Sequence, residues 1–132
     1  ELQFKGFTVV LLGGEFEHEK NMRIAAKSGA NYFSHFPLKE FIALIDTCDL
    51  VVTPVTSTMH FAIALEKKIV LFVNIFPKAE FELYGLGEII EPPKPCQCFF
   101  KSKCDVHPGS SCMRDISVSQ VIATVERVLA II

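Results

Sequence analysis

The chain has 132 residues, 50% of them hydrophobic and 21% charged, a composition that supports one hydrophobic core and excludes an intrinsically disordered segment. Lys and Arg total 13 against 15 Asp and Glu, a formal charge of −2, so the basic excess of a general polyanion binder is missing and nucleic acid is not the expected partner. The longest apolar run, residues 69–76, is interrupted by Asn74 and is far too short to span a bilayer.

Taken in chain order, residues 8–12 (TVVLL) form a short β-branched run closed by Gly13 and Gly14, the pattern of a buried strand. A helix is expected from about Glu17 to Ser28, with Met22, Ile24, Ala25 and Ala26 as its apolar positions and Gly29 at the C-cap. Residues 31–33 make a short second strand. Residues 38–48 (LKEFIALIDTC) place Leu38, Phe41, Ile42, Leu44 and Ile45 at helical spacing behind Pro37. A third strand at 49–53, a helix at 56–67, a fourth strand at 69–73 and a shorter fifth at 88–90 follow. Residues 91–114 break the pattern with four prolines, Gly109 and clustered cysteines, which marks a long loop. A helix over 117–132 closes the chain, opened by a capping box of Ser117 and Gln120.

Apolar strands alternating with helices predict an α/β fold, a Rossmann-like doubly wound parallel sheet covered on both faces, in a single domain over 1–132. Right-handed crossovers then gather the strand-to-helix loops on one edge, where ligands bind in such folds. The loops to inspect are residues 13–17, 34–37, 53–58 and 74–81.

Residues 53–60 (TPVTSTMH) carry the most chemistry. A strand ends, Pro54 prevents its regular continuation, and a helix begins beside the hydroxyls of Thr56, Ser57 and Thr58. Uncapped amides at a helix start favour an anion such as phosphate. His60 lies four residues after Thr56, so the two can share a face. A plain N-cap with a core histidine is the commoner origin of the same pattern. Gly13 and Gly14 permit close approach of a ligand to the backbone but do not make a G-x-G-x-x-G fingerprint. Among Glu15, Glu17 and Glu19, one carboxylate can hold ribose hydroxyls, although acidic residues also suit a first helical turn through the helix dipole.

Cys48 stands alone, whereas Cys96, Cys98, Cys104 and Cys112 follow a C-x-C-x5-C-x7-C pattern. The well-formed core expected before them favours a reducing compartment over a secreted disulfide scaffold. Four thiolates in one loop can close a tetrahedral zinc site, with His107 as a substitute ligand; free or disulfide-linked thiols fit the pattern as well. A catalytic thiol is not expected, since no cysteine opens a helix after a strand.

Together these segments resemble glycosyltransferase family 9, the bacterial heptosyltransferases of lipopolysaccharide core biosynthesis, and specifically their C-terminal, donor-binding half. VVLLGG with its acidic residues is similar to the first strand and loop of that half. PLKEFIALIDTCDLVVT is similar to the helix and strand leading to the donor site. TPVTSTMHFAIALEKKIVLF is similar to the N-D-[ST]-G-x-x-H-x-A-x-A-x-x-x-P-x-x-x-x-F segment. The C-x-C…C…CMRDIS run resembles the C-terminal end. The resemblance implies one half of a GT-B architecture that binds an ADP-heptose-like nucleotide sugar. Its lipid-linked oligosaccharide acceptor would be held by an N-terminal domain upstream of Glu1. Thr56, Ser57 and Thr58 would face the diphosphate with His60 behind, Glu15 or Glu17 would contact the ribose, and residues 34–38 would border the adenine. Transfer would need no cofactor, leaving a structural zinc at the cysteines as the only metal. The protein would be cytoplasmic, peripheral to the inner membrane, without a transmembrane segment, and this stretch alone would not catalyse transfer. The sequence departs from the family pattern at Val55, where an Asp is expected, at Ser57, where a Gly is expected, and at Asn74, Ile75 and Phe76 in place of Gly-Pro-Thr. Val55 motivates the rival expectation of a non-catalytic nucleotide-binding or scaffolding domain, and the cysteine loop that of a metal-binding module built on its four thiols.

Overall fold

The computed structural model describes residues 1–94, 98–104 and 111–130. They group into two compact units, Glu1–Leu44 and Ile45–Ile132.

In the first unit, a 3-10 turn over Leu2–Lys5 ends at Gly6, whose φ of 89° is the left-handed conformation glycine adopts without strain. The two strands expected at 8–12 and 31–33 meet in the expected parallel sense but are reduced to a single bridge, Val10 to Asn31. Asn31 N–H donates to the Val9 carbonyl and Leu11 N–H to the Asn31 carbonyl, both at 2.8 Å. The reason for the short pairing lies in the second segment. Gly29 with φ 74° precedes it and Ser34 with φ 80° follows, so the chain leaves the extended conformation at both ends within a few residues. Helix α1 spans His18–Ser28, with Gly29 N–H closing on the Ala25 carbonyl at 2.9 Å as the C-cap expectation requires. The expected apolar positions Met22 and Ile24 are exposed; the buried residue of α1 is Asn21. Helix α2 spans Leu38–Asp46, two residues shorter than expected.

The second unit contains a three-stranded parallel sheet, in the order β1 (Leu50–Pro54), β2 (Lys68–Phe72), β3 (Gly87–Ile90). All three strands agree with the sequence expectation to within one residue at each end or better, β2 starting and stopping one residue early. Pro54 pairs with Phe72, and Phe72 with Ile90, so the C-terminal ends of the strands share one edge. Ile69, Val70 and Leu71 are all fully buried. Successive strand residues point to opposite faces, so β2 is covered on both sides. Helix α3 (Ser57–Ala64) packs on β1 and β2, and helix α5 (Val118–Ala130) packs on β2 and β3. A short helix α4, Ser111–Arg114, precedes α5.

Met59 and Ala62 of α3, and Ile122, Val125 and Val128 of α5, complete the core. Half of the expected capping box forms: Gln120 N–H donates to Ser117 Oγ at 3.1 Å. At the far end of α5, the Arg127 guanidinium grips the Glu88 carboxylate of β3 through Nε and Nη2, at 3.1 and 2.7 Å. That fork geometry ties the last helix to the edge strand.

Candidate functional site

In the second unit, the β1-to-α3 turn lies at the C-terminal edge of the sheet. The chain leaves β1 at Pro54, which lacks the N–H to extend the ladder. Thr56 takes the N-cap position in extended conformation, but its side chain makes no cap hydrogen bond. Its hydroxyl instead lies 3.3 Å from that of Thr53, which donates to the Pro54 carbonyl at 2.9 Å. The first amides of a helix have no partner inside it. Met59 N–H is taken by the Thr56 carbonyl at 3.1 Å, and Ser57 and Thr58 hold the first two helical positions, whose amides have no acceptor within the helix. Thr56 and Ser57 are exposed and Thr58 is half-buried. His60 is exposed, so the core-histidine alternative fails; the buried members of α3 are Met59 and Ala62. Val55, half-buried, offers the site no charge or hydrogen-bonding side chain.

The exit of β2 shares this edge. Its connection carries a 3-10 turn, Lys78–Glu80, and an aromatic cluster in which Phe76 meets Phe81 and Phe100 edge-on, at centroid distances of 6.2 and 5.7 Å.

In the first unit, the turn after the first extended segment leaves no room for a side chain at Gly13. A Cβ on Gly13 would lie 2.8 Å from both Asn21 Nδ2 and Glu17 Cβ. Buried Asn21 donates from Nδ2 to the Leu12 carbonyl at 3.2 Å. Gly14 N–H donates to Glu17 Oε2 at 2.9 Å. Of the two expected ribose contacts, Glu17 therefore folds back on its own turn, and Glu15 is exposed. Sequence reasoning missed a ring cluster in this unit. His18 Nδ1 lies 3.0 Å from the Tyr32 hydroxyl, and the His18 ring meets His35 edge-on at 5.3 Å. The aromatic and histidine density of residues 32–36, directly after the second extended segment, was the available signal.

Of the four clustered cysteines, Cys96 lies outside the described residues, as does His107. Cys98 and Cys104 lie together, with Sγ atoms 3.5 Å apart, and Cys112 is buried at α4. Among the described residues no group of three or more His, Cys, Asp or Glu is arranged to hold a metal ion. Burial pushes the thiol of Cys48 up, reinforced by the charge of Asp49, which disfavours the thiolate that a nucleophile needs. Among the described residues no helix is long and apolar enough to cross a membrane.

The model of glycosyltransferase family 9 (heptosyltransferase) matches residues 1–79. The chain belongs to glycosyltransferase family 9. No curated protein and no solved structure matches it. The family 9 match takes in both glycine- and hydroxyl-bearing turns, all of β1, α3 and β2, and the start of the β2 exit; β3, the cysteines after it and α5 lie beyond it. Membership in this glycosyltransferase family implies a nucleotide-sugar donor and an acceptor.

Proposed function

We propose that this family 9 chain is the donor-binding part of a glycosyltransferase of lipopolysaccharide core synthesis, taking an ADP-heptose-like nucleotide sugar. The observation that carries the reading is the start of α3. A threonine N-cap directs its hydroxyl to Thr53 instead of capping its own helix, which leaves the first amides without that cap beside the hydroxyls of Ser57 and Thr58. Their place at the C-terminal edge of a parallel sheet is where such folds hold phosphates.

In the reaction, the bond between the sugar's anomeric carbon and the diphosphate oxygen breaks as the acceptor hydroxyl oxygen attacks that carbon and loses its proton to a general base. Negative charge grows on the leaving diphosphate. Amides and hydroxyls preorganised at the α3 start hydrogen-bond to that charge where it develops, and the positive end of the helix dipole adds to the field. In this reading His60, exposed one turn on, contacts the same group.

Titration of the intact protein with ADP tests the reading. ADP should bind, and Ser57→Ala with Thr58→Ala should weaken it about tenfold, the value of one to two hydrogen bonds. Absence of ADP binding, or binding indifferent to the double substitution, overturns it. The rival reading of a non-catalytic domain rests on Val55. It gains if ADP binds yet turnover appears only after Val55→Asp.

A further inference from the structure

We propose that Cys98 and Cys104 form a reversible dithiol–disulfide pair, a modification site independent of the donor reading. Their sulfurs are 3.5 Å apart, with Cys98 Sγ–H donating to Cys104 Sγ. A disulfide needs about 2.05 Å between sulfurs, so closure requires a displacement of roughly 1.5 Å, within the reach of side-chain rotation and a small loop adjustment.

The intervening backbone already makes the turn that closure demands. Lys101 N–H bonds to the Cys98 carbonyl at 3.1 Å, and Phe100 takes a left-handed φ of 59°, unusual for a bulky residue. That conformation is held from outside. Phe100 N–H donates to the Ile75 carbonyl at 2.9 Å, and its ring packs edge-on against Phe76. The returning chain thus delivers Cys104 to Cys98 while anchored on the exit of β2. Closing the pair would lock that anchor.

The two thiols differ in access. Cys98 is 2% exposed and Cys104 is half-buried. The oxidant is a small-molecule disulfide. Its sulfur–sulfur bond is attacked by the Cys104 thiolate, which releases one thiol and leaves a mixed disulfide on Cys104. The Cys98 thiolate then attacks the Cys104 sulfur and expels the second thiol. The two cysteines lose two electrons and two protons, and the oxidant becomes two thiols. An excess of reduced thiol runs both steps backwards, so the pair stays open in a reducing compartment.

The test uses the full chain, reduced, then treated with oxidised glutathione. The expected product has lost two hydrogens, carries no retained glutathione, and reverts with dithiothreitol. Cleavage after Lys101 and Lys103 separates the two cysteines, and fragmentation of the linked peptides should place the bridge between Cys98 and Cys104. Cys98→Ser should trap glutathione on Cys104, whereas Cys104→Ser should slow adduct formation on Cys98 at least tenfold. Should a variant fail to fold by circular dichroism, peptide mapping of the unaltered chain decides alone. A bridge that joins Cys96 or Cys112 instead, full alkylation of Cys98 and Cys104 after the oxidant, or about one zinc per chain that protects both thiols would overturn the proposal.

Discussion

In the first unit Phe16 is fully exposed and Phe4 nearly so, and Met22, Phe33 and Leu38 are more than half exposed; its buried residues are Asn21 and Ala30. In the second unit Ile69, Val70, Leu71 and Val128 are fully buried. The two stretches have comparable supplies of apolar side chains, so composition does not make the difference. Strand pairing does. Three strands in register build a surface that helices cover from both faces, while a single bridge builds no surface at all. In the second unit the paired strands supply the surface on which Met59, Ala62, Ile122, Val125 and Val128 of the helices are buried.

The sharpest way to break the comparison is at glycine. A Cβ at Gly87 would lie 1.6 Å from the Ile69 carbonyl oxygen, a backbone atom that cannot yield without losing the β2–β3 ladder. Gly87→Ala should cost on the order of 4 kcal/mol or more, or prevent folding of the second unit. Gly6→Ala meets nothing within 4 Å and carries only its left-handed backbone, a cost on the order of 1 kcal/mol. Urea titration followed by circular dichroism compares the two, and equal midpoints would refute the contrast.

A smaller effect separates apolar side chains of the two units. Ile69→Ala empties a fully buried position and should lower stability by about 2–5 kcal/mol. Phe16→Ala removes a larger side chain that touches only water, and should change stability by no more than about 0.5 kcal/mol. A large loss on the Phe16 substitution would mean that its ring has a packing partner after all.

The smallest effect lies at the Glu88–Arg127 fork. The hydrogen bonds from Arg127 hold the Glu88 carboxyl below the usual glutamate range, with the charges of Arg127 and Lys78 adding to them. A carboxylate with a lowered folded pKa stabilises the fold above its unfolded value, and that contribution is lost as pH falls through the folded one. Arg127 is more than half exposed and Glu88 about a third, so solvent screens the effect. Glu88→Gln should lower Tm by roughly 1–3 °C at neutral pH, and by progressively less toward pH 3. A difference that grows on acidification would reverse the sign of the argument.

Much of the second unit was legible in the chain. Apolar runs of β-branched residues at 49–53 and 69–73 gave both long strands, since a strand buried on both faces needs no polar alternation. The capping box of Ser117 and Gln120 announced α5. The first unit was less legible. Residues 8–12 have the same strand-like composition as 69–73, but pairing depends on a partner long enough to run alongside, and the positive φ of Ser34 ends the partner early. The glycines of residues 13–14 showed that something comes close to the backbone, but not that Asn21 and Glu17 would crowd Gly13 or that Glu17 would accept from the Gly14 amide.

By itself, then, the order of residues determined the alternation of helix and strand, the parallel sheet, and the hydroxyl-bearing turn that enters α3, because these follow from local spacing and backbone preference. Tertiary structure alone decided that Thr56 turns from its own helix toward Thr53, that Glu17 closes its own turn, and that Cys104 returns to Cys98. Each of these is a choice among partners of similar chemistry, and only the path of the chain in space determines which partner lies within hydrogen-bonding distance.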